Sequence, residues 1–482
     1  MNRRSLFGIA LSLLLLSLTF GGDFEVTPGG QLTAWQWQSA QINLYEYARN
    51  SAWLQENDST NWMIISTHSD NSWGDLRRFW DPYGEYRNAL TFSGQKHISP
   101  TQTFYGAITY RYDYVSRMNQ AIDIQPYALD PFVISDSTEG DFSFNGPTVH
   151  VVYGQQISSR LWWGMGLDYG IYRGLKKVYS MPEIIRRKIK LDVSLAYQLN
   201  SHFTFGLSVR PYDTRDNTKI VKQPDGTEPL ILRYRGEQVF TAVVSKSDRF
   251  AIYNGTEWQS QVMVEFSRLR GMLVLGYYYR WTEVYDNERL RLHDGFYQGE
   301  HYYVNTLWRY ALNEQKNSFV TLGYRFRYIG DWAEEPVKKW AIYRSFQRRH
   351  QMRLGLFKTL HSSPFAVYAD GVFDYWLPDR RDYLAHLYRE ASISNLQITA
   401  GGLWHVNPYF TLQAGVRFDQ YRESAVWHYF GDFNSWGGEC KASYRYGAKL
   451  FQVYLRYGKE QSSVSDFTRN GVIFGVRLKQ TL

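Results

Sequence analysis

The residues in this chain that could do chemistry are charged side chains set two positions apart. Arg111 with Asp113, Arg325 with Arg327, Arg417 with Asp419, and Glu439 with Lys441 have that spacing, and Arg210, Arg280, Arg353, Arg445, Arg456 and Arg477 sit in stretches of the same kind. In an extended strand, residues two apart share one face. A face rich in guanidinium groups suits anions, which it holds by charge-assisted hydrogen bonds. These residues are therefore the candidate ligand-binding set. The same arginines, paired with Asp, Glu and Tyr, would also make a structural brace, and the sequence leaves both readings open.

Other constellations are weaker. The chain has 11 His but no HExxH, HxH or Cys/His cluster, so no metal site and no cofactor is expected. His150, His350 and His405 read as hydrogen-bonded residues in or beside strands. No glycine-rich phosphate loop opens a helix. Asp370, Asp374, His386 and His428 fall near strand ends and could assemble a rim hydrolase; a non-enzyme is the main expectation, and no catalytic residue is assigned. Tyr277-Tyr278-Tyr279, Trp162-Trp163 and Tyr302-Tyr303 could stack a ligand. They fit an interfacial aromatic girdle better, since only alternate rings share a face. Arg348-Arg349-His350 and Arg380-Arg381 read as loop charges able to meet lipopolysaccharide phosphates.

The elements that must carry these residues are strands. Ile189, Leu191, Val193, Leu195, Tyr197 and Leu199 alternate with Lys190, Asp192, Ser194, Ala196 and Gln198. Val320 to Tyr328, Phe410 to Phe418 and Phe451 to Tyr457 alternate in the same way. Period two over about ten residues is the pattern of a membrane barrel strand, apolar towards lipid and polar towards the lumen. Arg on the lipid face would cost roughly 2–4 kcal/mol at the midplane, which sends the arginines inward. Short turns near Ser159, Ser201, Leu269 and Pro408 alternate with long polar stretches such as 115–146 and 211–258. The expected fold is all-β: a transmembrane antiparallel barrel of about 16 strands, within 14 to 18, with short periplasmic turns and long extracellular loops. Residues 231–244 read as a loop hairpin or a further strand, and Ala89–Ile98 as a possible extra strand.

Composition agrees. Aromatics are 17% of the chain, with 39 Tyr and 17 Trp. Mean hydropathy is −0.45, as expected when half of every strand faces water. The net charge of +8 suggests a basic lumen or basic loops; nucleic acid is not an expected partner. Arg3 and Arg4 precede an apolar run, Leu6 to Phe20, that reads as a secretory signal ending near residue 21. The single cysteine, Cys440, excludes an internal disulfide. The expected layout is a signal at 1–21, a plug, lid or lead-in at 22–88, and the barrel at 89–482. Within 22–88, Ile42, Leu44, Tyr47, Ala52 and Leu54 give weak helical spacing, and Trp62-Met63-Ile64-Ile65 could be a short strand.

Two resemblances follow. Phe474, Val476 and Leu478 are similar to the C-terminal signature of outer-membrane proteins, although Gln480 and Leu482 depart from it. This implies recognition by the barrel-assembly machinery. The motifs Leu90-Thr91-Phe92-Ser93-Gly94-Gln95-Lys96, Phe104-Tyr105-Gly106, Pro126-Tyr127, Asp130-Pro131-Phe132 and Gly166-Leu167-Asp168-Tyr169 resemble an uncharacterised Bacteroidota-type barrel family often found near TonB-dependent receptor genes. A looser likeness is to fatty-acid-transporter-type barrels. The resemblance implies the bacterial outer membrane, its lipids and lipopolysaccharide as surroundings, and a TonB-dependent receptor as a partner. It also implies uptake of an iron complex or another nutrient. The expected function is passage or capture of a solute, anionic or an iron complex, with an accessory role in nutrient uptake as one form of it. The alternatives are a structural or partner-binding barrel with an occluded lumen, and an outer-membrane hydrolase.

Overall fold

Period-two sequence becomes strand pairing in register. In this computed structural model, residues 49–56, 60–77, 81–122, 131–178, 181–220, 230–236, 239–244, 248–286, 292–315, 317–360, 364–424, 432–463 and 465–482 are described. The signal, residues 22–48, Pro126-Tyr127, Asp130 and His428 lie outside the described residues.

A 3-10 turn, Ser51–Glu56, comes first. The strands are β1 Trp62–Gly74, β2 Pro82–Ser99, β3 Gln102–Ala121, β4 Ile134–Ser158, β5 Leu161–Lys176, β6 Glu183–Asn200, β7 Phe203–Lys219, β8 Leu230–Tyr234, β9 Phe240–Val244, β10 Arg249–Glu265 and β11 Leu269–Asp286. They continue as β12 Leu292–Ala311, β13 Phe319–Glu334, β14 Ala341–Thr359, β15 Phe365–Asp382, β16 Leu387–Glu390, β17 Ile393–Asn407, β18 Phe410–Glu423, β19 Phe433–Tyr446, β20 Lys449–Ser462 and β21 Thr468–Thr481. Chain neighbours pair antiparallel. β10 follows β7, and β17 follows β15, because β8–β9 and β16 are hairpin insertions outside the ring. β1 lies beside β2, with Ser69 Oγ 2.9 Å from Asn88 Oδ1. β1 also pairs with β21 from Trp62↔Thr481 to Gly74↔Arg469, which closes the ring. Of the 21 strands, leaving out β8, β9 and β16 gives an antiparallel barrel of 18 among the described residues.

The count of 18 lies at the upper end of the expected 14 to 18. Two expectations need correction. The barrel begins at Trp62, not Ala89, because β1 and the first part of β2 come from the stretch given to the plug. Several stretches read as long loops are strand: β4 starts at Ile134 and runs for 25 residues. Their alternation is unreadable because, beyond the apolar band, both faces are polar or packed under other loops. Residues 231–244 do form a hairpin, and β8 of that hairpin also pairs with β4 at Ile134–Asp136.

The outer wall carries an apolar band. On β6, Ile189, Leu191, Val193, Leu195, Tyr197 and Leu199 point outward and are 39–56% exposed. Ten residues of strand, tilted as barrels require, give a band about 25 Å tall. No described helix is long and apolar enough to cross a membrane. One rim has short turns and both ends of the ring; the other has the long connections. Beyond the band at the long-connection rim, the strand extensions pack three apolar clusters, one of them Leu76, Ala391, Ile393, Tyr421 and Phe433, and two that form caps. One cap buries Val115, Met118, Ile134, Phe142 and Ile231; the other buries Phe132, Val284, Tyr297, Ala333 and Tyr343.

Candidate functional site

Register decides which charged residues face the lumen. Outward parity belongs to the apolar row of each strand, so Arg111, Asp113, Arg210, Arg280, Arg325, Arg327, Arg353, Arg417, Asp419, Glu439, Lys441, Arg445, Arg456 and Arg477 all fall on lumen parity. The structure places the whole candidate set inside but does not gather it at one point. Most members are paired. Arg111 Nε donates to Asp113 (2.8 Å) and Arg353 Nε to Asp370 (3.0 Å). Arg417 donates from Nε (2.7 Å) and Nη2 (2.8 Å) to the two oxygens of Asp419. Arg280 Nη2 lies 3.1 Å from Asp331, whose carboxylate also meets His301. The hydroxyl of Tyr368 donates to Glu439 at 2.8 Å. Such pairs hold side chains together within a strand or between nearby strands of the wall. Arg327, Lys441 and Arg445 have no ion-pair partner among the described residues, so the lumen keeps cationic positions.

The runs read as loop charges divide by parity. Arg348 and His350 face outward on β14, and Tyr324 Oη lies 3.0 Å from His350 Nδ1. Arg349 faces inward and holds Asp374 at 2.9 Å. Asp370 and Asp374 are thus engaged by arginines. About 26 Å of strand separates Asp374 from the β15 end, beyond which His386 lies, so the structure does not assemble the hydrolase set. His150 meets Asp168 within the lumen, and His405 Nδ1 lies 3.1 Å from Thr411 Oγ1. The aromatic runs alternate as expected. Tyr278 stacks inside on Tyr212 at 5.6 Å, and Tyr277 meets Tyr302 outside at 5.0 Å.

A second feature falls in the stretch read as a plug, lid or lead-in, although the sequence did not show which residues seat it. Asn50 to Leu54 lie inside the ring near the short-turn rim, fully buried against β5, β6, β7 and β10. Asn50 Nδ2 donates to Gln261 Oε1 at 2.6 Å and to the Leu195 carbonyl at 3.3 Å. Ser51 N donates to Asp192 at 3.2 Å, and Ala52 N to Ser194 Oγ at 3.1 Å. Arg210 is held by Asp192 at 3.2 Å and donates to the Arg49 carbonyl. Trp53 packs with Trp162, Ala196, Met263 and Met272. The wall makes room at two glycines. A Cβ at Gly164 would stand 2.3 Å from the Ser51 carbonyl carbon, and one at Gly206 would stand 3.0 Å from Trp53 Cζ2. The inward glycines were visible in the sequence, but what fills the space above them was not.

Residues 51–424 match a family of unknown function (DUF6850), and the chain belongs to that family. No curated protein matches the sequence. Among solved structures, the chain is similar to CdiB from Acinetobacter baumannii (TM-score 0.40, 9% identity), covering 86% of this chain but only 60% of that one. It is also similar to the outer membrane transporter YddB from Escherichia coli (TM-score 0.41, 7% identity, 87% and 80% covered). A Pseudomonas aeruginosa FadL homologue gives a TM-score of 0.34 at 12% identity, with 92% and 95% covered.

Proposed function

We propose that this member of the DUF6850 family is a bacterial outer-membrane barrel that passes a solute, with Asn50–Leu54 as a wedge that narrows its short-turn end. The wedge carries the reading. It is seated by hydrogen bonds to side chains of the wall and by two glycine recesses, so the seat is specific. It is also non-covalent and lies at one end of the lumen, so it can leave without breaking the ring.

Membrane location is supported by the outward apolar band. In water, a continuous apolar belt of that size would be an aggregation surface; in a bilayer it matches the hydrocarbon core. The short-turn rim is then periplasmic. The surplus lumen cations Arg327, Lys441 and Arg445 support an anionic solute. The paired arginines act as braces. Outer-membrane lipid, lipopolysaccharide and the barrel-assembly machinery are the partners of this reading, and a TonB-dependent receptor is the partner if uptake is shared.

Single-channel recording in planar bilayers tests it, with the intact protein beside a variant lacking residues 23–56. The deletion stops there because β1 starts at Trp62. Low conductance in the intact barrel and stable, anion-preferring conductance after deletion is expected. Silence in both, with the barrel folded, would leave the occluded partner-binding alternative in place.

A further inference from the structure

We infer that the outer wall of β5–β7 holds a lipopolysaccharide site: Arg173, Arg187 and Arg215 take a phosphate of the saccharide headgroup, and the apolar band beneath them takes the acyl chains. The inference rests on the membrane reading above and names the lipid that this wall selects.

The site comes from register. On the outward face of β6, the apolar row from Leu199 to Ile189 ends at Arg187. Arg187 pairs with Arg215 on β7 and with Ile171 on β5, and Arg173 lies two residues beyond Ile171. All of these are on outward parity. Three neighbouring strands therefore present guanidinium groups in a patch about 10 Å wide. It lies just above the band, towards the long-connection rim. The groups are open to the outside. Arg187 is exposed, and the Arg173 and Arg215 side chains are 66% and 57% exposed.

Two of the three are held by acids. Arg173 Nε donates to Glu183 at 2.5 Å, and Arg215 Nε to Asp213 at 3.1 Å. Arg187 has no hydrogen-bond or ion-pair partner among the described residues. Its neighbour in sequence gives the contrast: Arg186 faces inward, and its Nε donates to Asp216 at 2.8 Å. Arg187 and Arg215 stand directly opposite each other, an arrangement that repels. Ile189 lies below the pair, with Ile171 and Ile252 at its sides. Apolar neighbours reduce screening, so they raise both the repulsion and the attraction for an anion. A phosphate between the two guanidinium groups replaces the repulsion with charge-assisted contacts.

The acids of the wall do not cancel its charge. Lys219 stands opposite Glu183, so four cations share the patch with Glu183 and Asp213. Asp141, further along β4, accepts from the Tyr114 hydroxyl at 2.6 Å. The occupant follows from what lies below. Leu191, Val193 and Leu195 on β6 and Leu207 on β7 are 46–57% exposed. They continue down the wall from the arginines, so a ligand that fits both parts carries hydrocarbon beneath its anion. With the long-connection rim outside the cell, the leaflet at this height is the outer one, and its anionic lipid is lipopolysaccharide.

Native mass spectrometry of the detergent-purified barrel titrated with lipid A tests this, beside dephosphorylated lipid A, phosphatidylglycerol and inorganic phosphate. Saturable one-to-one retention of lipid A is expected. It should weaken about tenfold in the double variant Arg187→Gln with Arg215→Gln, the scale of a lost charge-assisted contact. It should be unchanged in Lys338→Gln on an outer loop. Circular dichroism and heat-modifiable gel mobility establish that each variant is folded. Equal retention by the double variant, or of lipid A without its phosphates, overturns the site. Phosphatidylglycerol or inorganic phosphate bound at the same arginines as tightly as lipid A overturns lipopolysaccharide as the occupant. A folded barrel that fails to insert into lipid vesicles discards the membrane reading; an inserted barrel whose lipid A retention ignores the arginines discards the site alone.

Discussion

Lys176 Nζ lies 2.6 Å from Asp136 Oδ1, and neither side chain has any exposed surface. The pair joins the far end of β5 to the start of β4 beneath the cap around Phe142, and Lys176 also donates to the Thr138 carbonyl at 2.9 Å. Burial pushes the Lys176 ammonium below its ordinary pKa, and Asp136 opposes that shift. The pair marks the cap as folded structure.

Removing one partner leaves the other charge buried. Asp136→Ala should therefore destabilise the cap by about 3–5 kcal/mol, whereas Lys176→Met with Asp136→Leu should restore much of it. Limited proteolysis of the long-connection rim reads this. Equal resistance in the wild type and Asp136→Ala would mean that the pair contributes nothing to the cap.

Gly164→Val should unseat the wedge and spare the ring. Its Cβ would fall 2.3 Å from the Ser51 backbone, and that backbone is the part free to leave. Conductance should rise to the level of the 23–56 deletion. Conductance equal to that of the intact barrel would show that the segment is not what narrows the lumen.

Trp53→Ala removes the wedge's largest buried side chain, and a buried Trp→Ala change costs about 3–5 kcal/mol. The loss should appear as faster amide exchange at Ala52 and Trp162, with thermal unfolding of the barrel little changed. A fall in the barrel's own unfolding temperature would make the segment part of the core.

Arg353 and Asp370 should couple. Asp370 carries a two-point contact from Arg353 across β14 and β15. A double-mutant cycle on barrel unfolding should give an interaction energy of about 0.5–3 kcal/mol. Strict additivity would remove the brace reading for this pair.

Cys440 should face lipid. It lies on outward parity between Ala414 and Leu455, and the latter is 44% exposed. A nitroxide at Cys440 in reconstituted vesicles should be relaxed more strongly by oxygen than by a water-soluble nickel chelate. The reverse order would place this wall in water and sink the membrane reading independently of any transport result.

What the sequence determined by itself is the division of each strand into two faces. Ile189 to Leu199 on one side and Lys190 to Gln198 on the other can alternate only in a strand with unlike surroundings, and charge cannot sit among the apolar row. That determined the all-β class, most of the strands and the inward parity of the arginines. Tertiary structure decided the rest, because the rest depends on partners far apart in the chain. β1 lacks clean alternation, as Thr67 and His68 are both buried; it is a ring strand because β21, some 400 residues on, needs an edge to pair with. Which arginines are braced follows from cross-strand register, since Arg353 finds Asp370 only once β14 and β15 align. The wedge depends on Asn50 meeting Gln261, 211 positions away. Local periodicity records the environment of a side chain, and only closure of the ring chooses its neighbour.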